Sequence, residues 1–318
     1  FMIPMIDQLF ELEIKKKSIF LKKIKNNLNI YFTLTSRITK DFLISNEKIP
    51  DHINEPQTTE LINRISKKNN KKNIIFGGTF IGDMAIPISK NYVNSFKSKK
   101  IHCFEVDNEP LKLLNMNISK NNINNIKIEK LALHNEDNIF LDFEIKSDSL
   151  TKLKKINKNK SKNRIKTIKL DTYCQKNKID DISVIHIDIE GGELNALKGC
   201  SNILSKNKND APDIVFEYCT YYVSKKYIHP KKSSICNFLE NKGYKIYAIR
   251  DFSSNIGKKL KNLEVIKIED MHIKNVPHCF NIYATKKESN IKKYNLKLRK
   301  NVHPKLLWHE SKKYFWPK

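Results

Sequence analysis

Seven short apolar runs rich in β-branched residues, several of them without polar alternation, punctuate the chain at 73–76, 100–105, 126–133, 184–189, 213–218, 244–249 and 280–285. Strands that bury both faces read this way, because neither face needs polar side chains. Helical or loop stretches of ten residues and more separate the runs. Strands alternating with helices imply right-handed βαβ crossovers and a doubly wound, mostly parallel sheet. The expectation is therefore a seven-stranded α/β core spanning 58–285. A 318-residue chain with 39% hydrophobic residues can fill such a core and still carry extensions.

On the N-terminal side, Leu9, Phe10, Ile14, Phe20, Ile24 and Leu28 recur near helical spacing among lysines. This predicts a helical extension over 1–57, packed on the core in the plainest reading, or else serving as a homodimer contact or lying on a membrane surface. Pro50 and Pro56 break it before a further helix at 58–67. The stretch 146–169 holds ten basic residues against Asp148 alone and is expected as an exposed basic insertion. The tail 286–318 adds Trp308, Tyr314, Phe315 and Trp316 among lysines.

A formal charge of +26 points first to anionic partners such as nucleic acid. Only five of the 60 basic residues are arginine, however, and planar recognition of phosphates and bases favours arginine. A solvated, lysine-biased surface is the plainer account. The six cysteines are scattered without a C-x-x-C pair, which predicts reduced thiols and a cytoplasmic setting. Acidic residues at Asp7, Glu11 and Glu13 argue against a signal peptide, and no apolar run reaches the length of a transmembrane segment.

Three stretches carry chemistry. The first run opens into Gly77-Gly78-Thr79-Phe80-Ile81-Gly82-Asp83, a strand, tight turn and helix start that would set backbone N–H groups beside a cofactor. The second run closes on Glu105, one βα unit later, where a carboxylate accepts the two hydroxyls of an adenosine ribose. A nicotinamide dinucleotide would suit that pair of features equally. The third, Val184-Ile-His-Ile-Asp-Ile-Glu-Gly-Gly-Glu193, sets His186, Asp188 and Glu190 on one face of a strand at its carboxyl end, where open α/β sheets hold ligands. For His186 alone, a satisfied core histidine is as good a reading as a catalytic one.

With these residues in place, the chain resembles the FkbM-type S-adenosylmethionine-dependent methyltransferases. The resemblance rests on Phe104-Glu105, Asn115 to Asn122, Ala132-Leu133, Leu170-Asp171, the Ile187-Asp-Ile-Glu-Gly-Gly-Glu193 run, Leu197-Lys-Gly199 and Pro212 to Glu217. It implies a class I, Rossmann-like methyltransferase fold and O-methylation of a sugar, glycan or other small-molecule hydroxyl. S-adenosylmethionine would be the cofactor and S-adenosylhomocysteine the product. Gly78, Thr79, Phe80, Gly82, Asp83, Glu105, Val106, Ala132, Leu133 and Asp188 would bind the cofactor, and Asp188, His186, Glu190 and Glu217 are the candidates for proton transfer. Two departures stand out: Phe76 occupies the place of an acid at the end of the first strand, and His186 that of a lysine. The candidate carboxylates could also hold a metal, but no ligand spacing is specific enough to assign one. An RNA methyltransferase, suggested by the charge, and an inactive binding protein that keeps the fold are the alternatives.

Overall fold

A computed structural model describes residues 18–24, 27–34, 55–70, 72–92, 100–147, 150–155, 164–219, 228–250, 263–271 and 279–300. Strands β1 (Ile19–Ile24) and β2 (Leu28–Thr33) form an antiparallel hairpin, followed by helix α1 (Pro56–Lys68). Then come β3 (Asn73–Gly77), α2 (Ala85–Tyr92), β4 (Ile101–Phe104), α3 (Asn108–Lys120), β5 (Ile126–Glu129) and β6 (Ala132–Leu133). Strands β7 (Phe140–Ser147), β8 (Leu150–Lys155) and β9 (Arg164–Ile168) lead to α4 (Leu170–Lys176) and β10 (Ile182–Ile187). Helices α5 (Glu193–Lys198) and α6 (Ser201–Ser205) precede β11 (Asp213–Cys219), α7 (Ser234–Asn241), β12 (Lys245–Ile249) and β13 (Leu263–Lys267). The described chain closes with β14 (Cys279–Thr285), α8 (Ser289–Lys293) and β15 (Leu296–Arg299).

The main sheet has nine strands in the order β15-β13-β12-β14-β11-β10-β3-β4-β5. All seven apolar runs lie in it, and the run at 126–133 continues past β5 into β6 of a second sheet, ordered β6-β9-β7-β8. The expected count of seven is therefore corrected to nine, and the sheet is mixed. β14 runs antiparallel to both β11 and β12, and β13 antiparallel to β12, while β3, β4, β5, β10 and β11 are parallel. The two added strands, β13 and β15, are short and carry charged side chains, so they lack the apolar signature of the centre.

Helices cover both faces. Leu61, Ile62 and Ile65 of α1, Ile86 of α2 and Leu114 of α3 pack on one side with Ile74, Phe76, Val184 and Val215. Tyr173 of α4, Leu197 of α5, Leu204 of α6 and Leu239 of α7 pack on the other with Ile75, Ile185, Ile187, Ile214 and Phe216.

In place of the expected N-terminal helix, the described residues Ile19–Ile24 and Leu28–Thr33 are strands. Leu28, Ile30 and Phe32 are fully buried at strand period, which the surrounding lysines disguised as helical spacing. Asn117 of α3 and Asn121, which caps its C-terminus, hold β2 by its backbone: their Oδ1 atoms accept from Tyr31 and Asn29 N–H, and their Nδ2 groups donate to the carbonyls of the same two residues. A dimer contact through helices thus loses its basis in this segment, and 1–17 and 35–54 lie outside the described residues. The basic stretch 146–169 contributes β8 and β9, with Ile165 and Thr167 buried. Trp308, Tyr314, Phe315 and Trp316 also lie outside the described residues.

The reduced-thiol expectation fails for one pair. Cys219 and Cys279 stand opposite each other in the β11–β14 register and form a disulfide, whereas Cys103, Cys174, Cys200 and Cys236 are free and buried. Sixty residues of separation hide such a pairing in the sequence. Among the described residues no helix is long and apolar enough to cross a membrane.

Candidate active site

Strand order reverses between β3 and β10: β4 and β5 continue outward from β3, β11 and β14 from β10. Loops leaving the carboxyl ends of two such strands part in opposite directions and open a crevice. The turn after β3 and the segment after β10 line it. They touch backbone to backbone, since the Asp188 N–H donates to the Gly77 carbonyl at 2.9 Å and Gly78 lies under the Asp188 carbonyl.

The 77–83 turn is tied to β4. Gly78 and Thr79 N–H donate to the Phe104 carbonyl at 3.0 and 3.2 Å, and the Thr79 hydroxyl donates to the same oxygen at 3.3 Å. Phe80 takes φ 51° between Gly78 at 75° and Gly82 at 86°. Three left-handed residues in five make a tight, preformed loop. Glu105 clamps it: Oε2 accepts from Phe80 N–H at 2.8 Å, and Oε1 accepts from Val106 and Asp107 N–H at 2.8 and 3.1 Å. Burial raises the Glu105 pKa, and those three N–H groups pull it back toward the ionised form.

Asp83 is buried at the head of α2, and burial raises its pKa to about 6 against the N–H groups of Asp83 and Met84. Ala132 packs in one small cluster with Val106, Leu141 and Ile165. Leu133 lies against Gly77, whose Cβ would meet its Cδ1 at 2.8 Å. Turn, carboxylate and apolar wall, all expected from sequence, thus converge at one edge of the sheet.

Beside them lies an acidic group. Asp188 follows β10, Glu217 is the fifth residue of β11, and Ile187 pairs with Phe216, so the next residue of each strand stands side by side. Glu190 is not on the strand face expected for it, because β10 ends at Ile187 and Glu190 turns the chain at φ 57°. That turn brings its carboxylate back, and oxygens of Asp188, Glu190 and Glu217 lie within 4.8 Å of one another. Burial raises the Asp188 pKa well above the carboxylate range, and Glu217, Glu55, Glu190 and Glu193 push it further.

His186 sits apart from this group. It is 2% exposed, its ring rests 5.3 Å from that of Phe76, and neither ring nitrogen has a hydrogen-bond partner. Burial alone lowers its pKa to about 4. A neutral ring in that setting belongs to the core.

Three contributors escaped the sequence. Glu193 accepts Ile189 and Gly191 N–H at 3.1 Å each and so fixes the Asp188–Gly192 turn. It stands within the run that carried the family resemblance, which was its only signal. Glu55, at the N-cap of α1, and Asn281, on β14, reach the acidic group through tertiary pairing alone.

A family model described as "Methyltransferase FkbM domain" matches residues 78–246, just over half of the chain. No curated protein matches it in sequence. Solved structures similar to it include a precorrin-6y C5,15-methyltransferase from Geobacter metallireducens GS-15, 14% identical, covering 73% of this chain and 87% of that one, with a TM-score of 0.38. An O-methyltransferase from Bacillus cereus in complex with SAH is 11% identical over 78% of this chain and 94% of that one, with a TM-score of 0.41. A SAM-dependent methyltransferase from Aquifex aeolicus is 13% identical over 73% and 93%, with a TM-score of 0.33.

Proposed function

Because this chain belongs to the FkbM methyltransferase family, we propose that it is an S-adenosylmethionine-dependent O-methyltransferase acting on a sugar or glycan hydroxyl. The observation that carries this reading is the convergence of the 77–83 turn, Glu105 and Asp188 around the reversal of strand order. S-adenosylmethionine supplies a methyl group on a sulfonium that needs no further activation, and it leaves as S-adenosylhomocysteine.

The chain's part is to hold and align. Residues Gly78 to Asp83 would cradle the methionine portion, Glu105 the ribose, and Val106, Ala132 and Leu133 the adenine. Asp83 fits that assignment: it is a buried carboxyl in a turn of backbone donors, and an ammonium group would pair with it. It supplies the acid that Phe76 lacks. The acceptor hydroxyl would lie against Asp188, Glu190 and Glu217, one of which takes its proton. A carboxylate held above its ordinary pKa is the stronger base once ionised.

The test has two steps. Calorimetric titration with S-adenosylmethionine and S-adenosylhomocysteine should show one saturable site per chain, and its absence would overturn the reading. Transfer of labelled methyl to a panel of glycans, nucleotide sugars and RNA should then mark a carbohydrate; label in RNA alone would replace the acceptor.

A further inference from the structure

The acidic group beside the crevice has the composition and spacing of a cation site. Oxygens held at about 2.0–2.6 Å from one ion lie no more than about 4–5 Å apart. The carboxylate oxygens of Asp188, Glu190 and Glu217 lie within 4.8 Å of one another. Glu55 and Glu193 add to the negative field at Asp188.

An independent observation comes from the neighbouring strand. Asn281 is 1% exposed and pairs directly with Glu217 across β11 and β14, so the two side chains share one face of the sheet. Its Nδ2 donates to Glu55 Oε2 at 2.6 Å and to Thr58 Oγ1 at 3.0 Å. Its Oδ1 is buried without any donor. Turning the amide over would set that oxygen against the Glu55 carboxylate, so the amide orientation is fixed by its own partner. A buried amide oxygen left unpaired is costly, and a cation beside the carboxylates would satisfy it.

We propose that Asp188, Glu190 and Glu217, with Oδ1 of Asn281, bind one divalent cation of the hard, oxygen-preferring class, magnesium or manganese. All four donors are oxygens, and neither thiolate nor imidazole takes part, which disfavours zinc and copper. The ion's use rests on the methyltransferase reading, since an ion there would hold the acceptor oxygen in place. Its binding does not.

Binding is therefore measured first without cofactor. Tag-free, full-length protein treated with chelator and dialysed is titrated with manganese chloride, free manganese being read by electron paramagnetic resonance. One saturable site per chain is expected, displaced by magnesium, with affinity at least tenfold weaker in Glu217→Gln and severalfold weaker in Asn281→Ala. Asn281→Asp would set a carboxylate oxygen against Glu55, so Glu217→Gln, which keeps the shape of the side chain it replaces, serves as the variant least disturbing to the fold. Thermal melts of each variant with and without manganese give a second reading, because only a protein with the site gains stability from the ion. Absence of a saturable site in the wild type, or equal affinity in wild type and folded Glu217→Gln, would overturn the proposal. A parallel titration with S-adenosylmethionine separates the two ideas: manganese binding with cofactor silence removes the methyltransferase reading and keeps the ion, and the reverse pattern removes the ion alone.

Discussion

A Cβ built on Gly78 would lie 1.7 Å from the carbonyl oxygen of Asp188. The 77–83 turn and the acidic segment are thus in register only because position 78 carries no side chain. Gly78 also holds φ 75°, which costs an L-residue about 1–2 kcal/mol by itself. Gly243 separates the two effects, having φ 83° and nothing within 4 Å of its would-be Cβ. Gly243→Ala should lose only the conformational part, about 1–2 kcal/mol. Gly78→Ala should lose a further 1–3 kcal/mol or so from overpacking, or fail to fold. Urea denaturation of the pair gives the comparison, and equal losses would show that the backbones do not meet there.

The clamp on the turn leads to a second expectation. Glu105 accepts three backbone N–H groups, one of them across to Phe80, so its carboxylate shapes the turn whether or not a ribose is bound. Glu105→Ala should weaken cofactor affinity by about 1.5–3 kcal/mol, the usual range for hydrogen bonds to a charged group. Glu105→Gln keeps an oxygen for part of that set but sets an amide N–H₂ against backbone donors, so it should fall between the two. Calorimetry on the three proteins orders them, and undiminished affinity in Glu105→Ala would remove the residue from the site.

The central sheet was legible because it is buried on both faces. Ile74, Ile75, Val184, Ile185, Ile214 and Val215 are all fully buried, and each adjacent pair is apolar on both faces of the sheet. Where a strand meets solvent, as in β1 and β15, lysines enter the pattern and the period is lost among them. The site divides along the same line. Asp188 and Glu217 were legible as acids ending buried strands, and Glu105 as an acid following one. Asn281 and Glu55 were not, because their places depend on β14 returning antiparallel beside β11 and on where α1 begins. No local spacing encodes either. His186 misled for the opposite reason: it sits on the run that holds Asp188, but its ring turns to Phe76 in the core.

That division separates two near neighbours, His186 on β10 and Asp188 just past its end. Asp188→Asn keeps shape and removes charge, and turnover should fall by roughly 10²–10⁴, the range for loss of a general base. His186→Phe should leave turnover within a few-fold and keep or raise stability, because the ring has no hydrogen-bond partner to lose and stands in an apolar setting. Initial rates on a verified acceptor, alongside thermal melts, would show both. A rate loss in His186→Phe comparable to that in Asp188→Asn would return the imidazole to the mechanism.

A second buried histidine sets the response to acid. His102 is 4% exposed, with its Nδ1 2.8 Å from the Tyr173 hydroxyl, which donates onward to Glu129 Oε1 at 3.1 Å. With the phenol proton committed to Glu129, Nδ1 carries the hydrogen and the ring is neutral; Nε2 is buried without a partner. Burial, chiefly, and then Lys127 lower the pKa to about 4, against the upward pull of Glu129. The unfolded chain titrates near 6.5, so between pH 6.5 and 4 it binds more protons than the folded protein. Stability contributed by this residue is therefore intact above pH 6.5 and declines as pH falls toward 4, by about 2 kcal/mol between pH 7 and pH 5. Asp83, raised to about 6, acts with the opposite sign, since its protonated form is the one the fold favours. The quantity to read is thus the difference between wild type and His102→Phe, not the total. Urea unfolding from pH 5 to pH 7 should show the wild type gaining more stability than the variant as pH rises; parallel curves would mean that His102 titrates in the folded protein as it does in the unfolded chain.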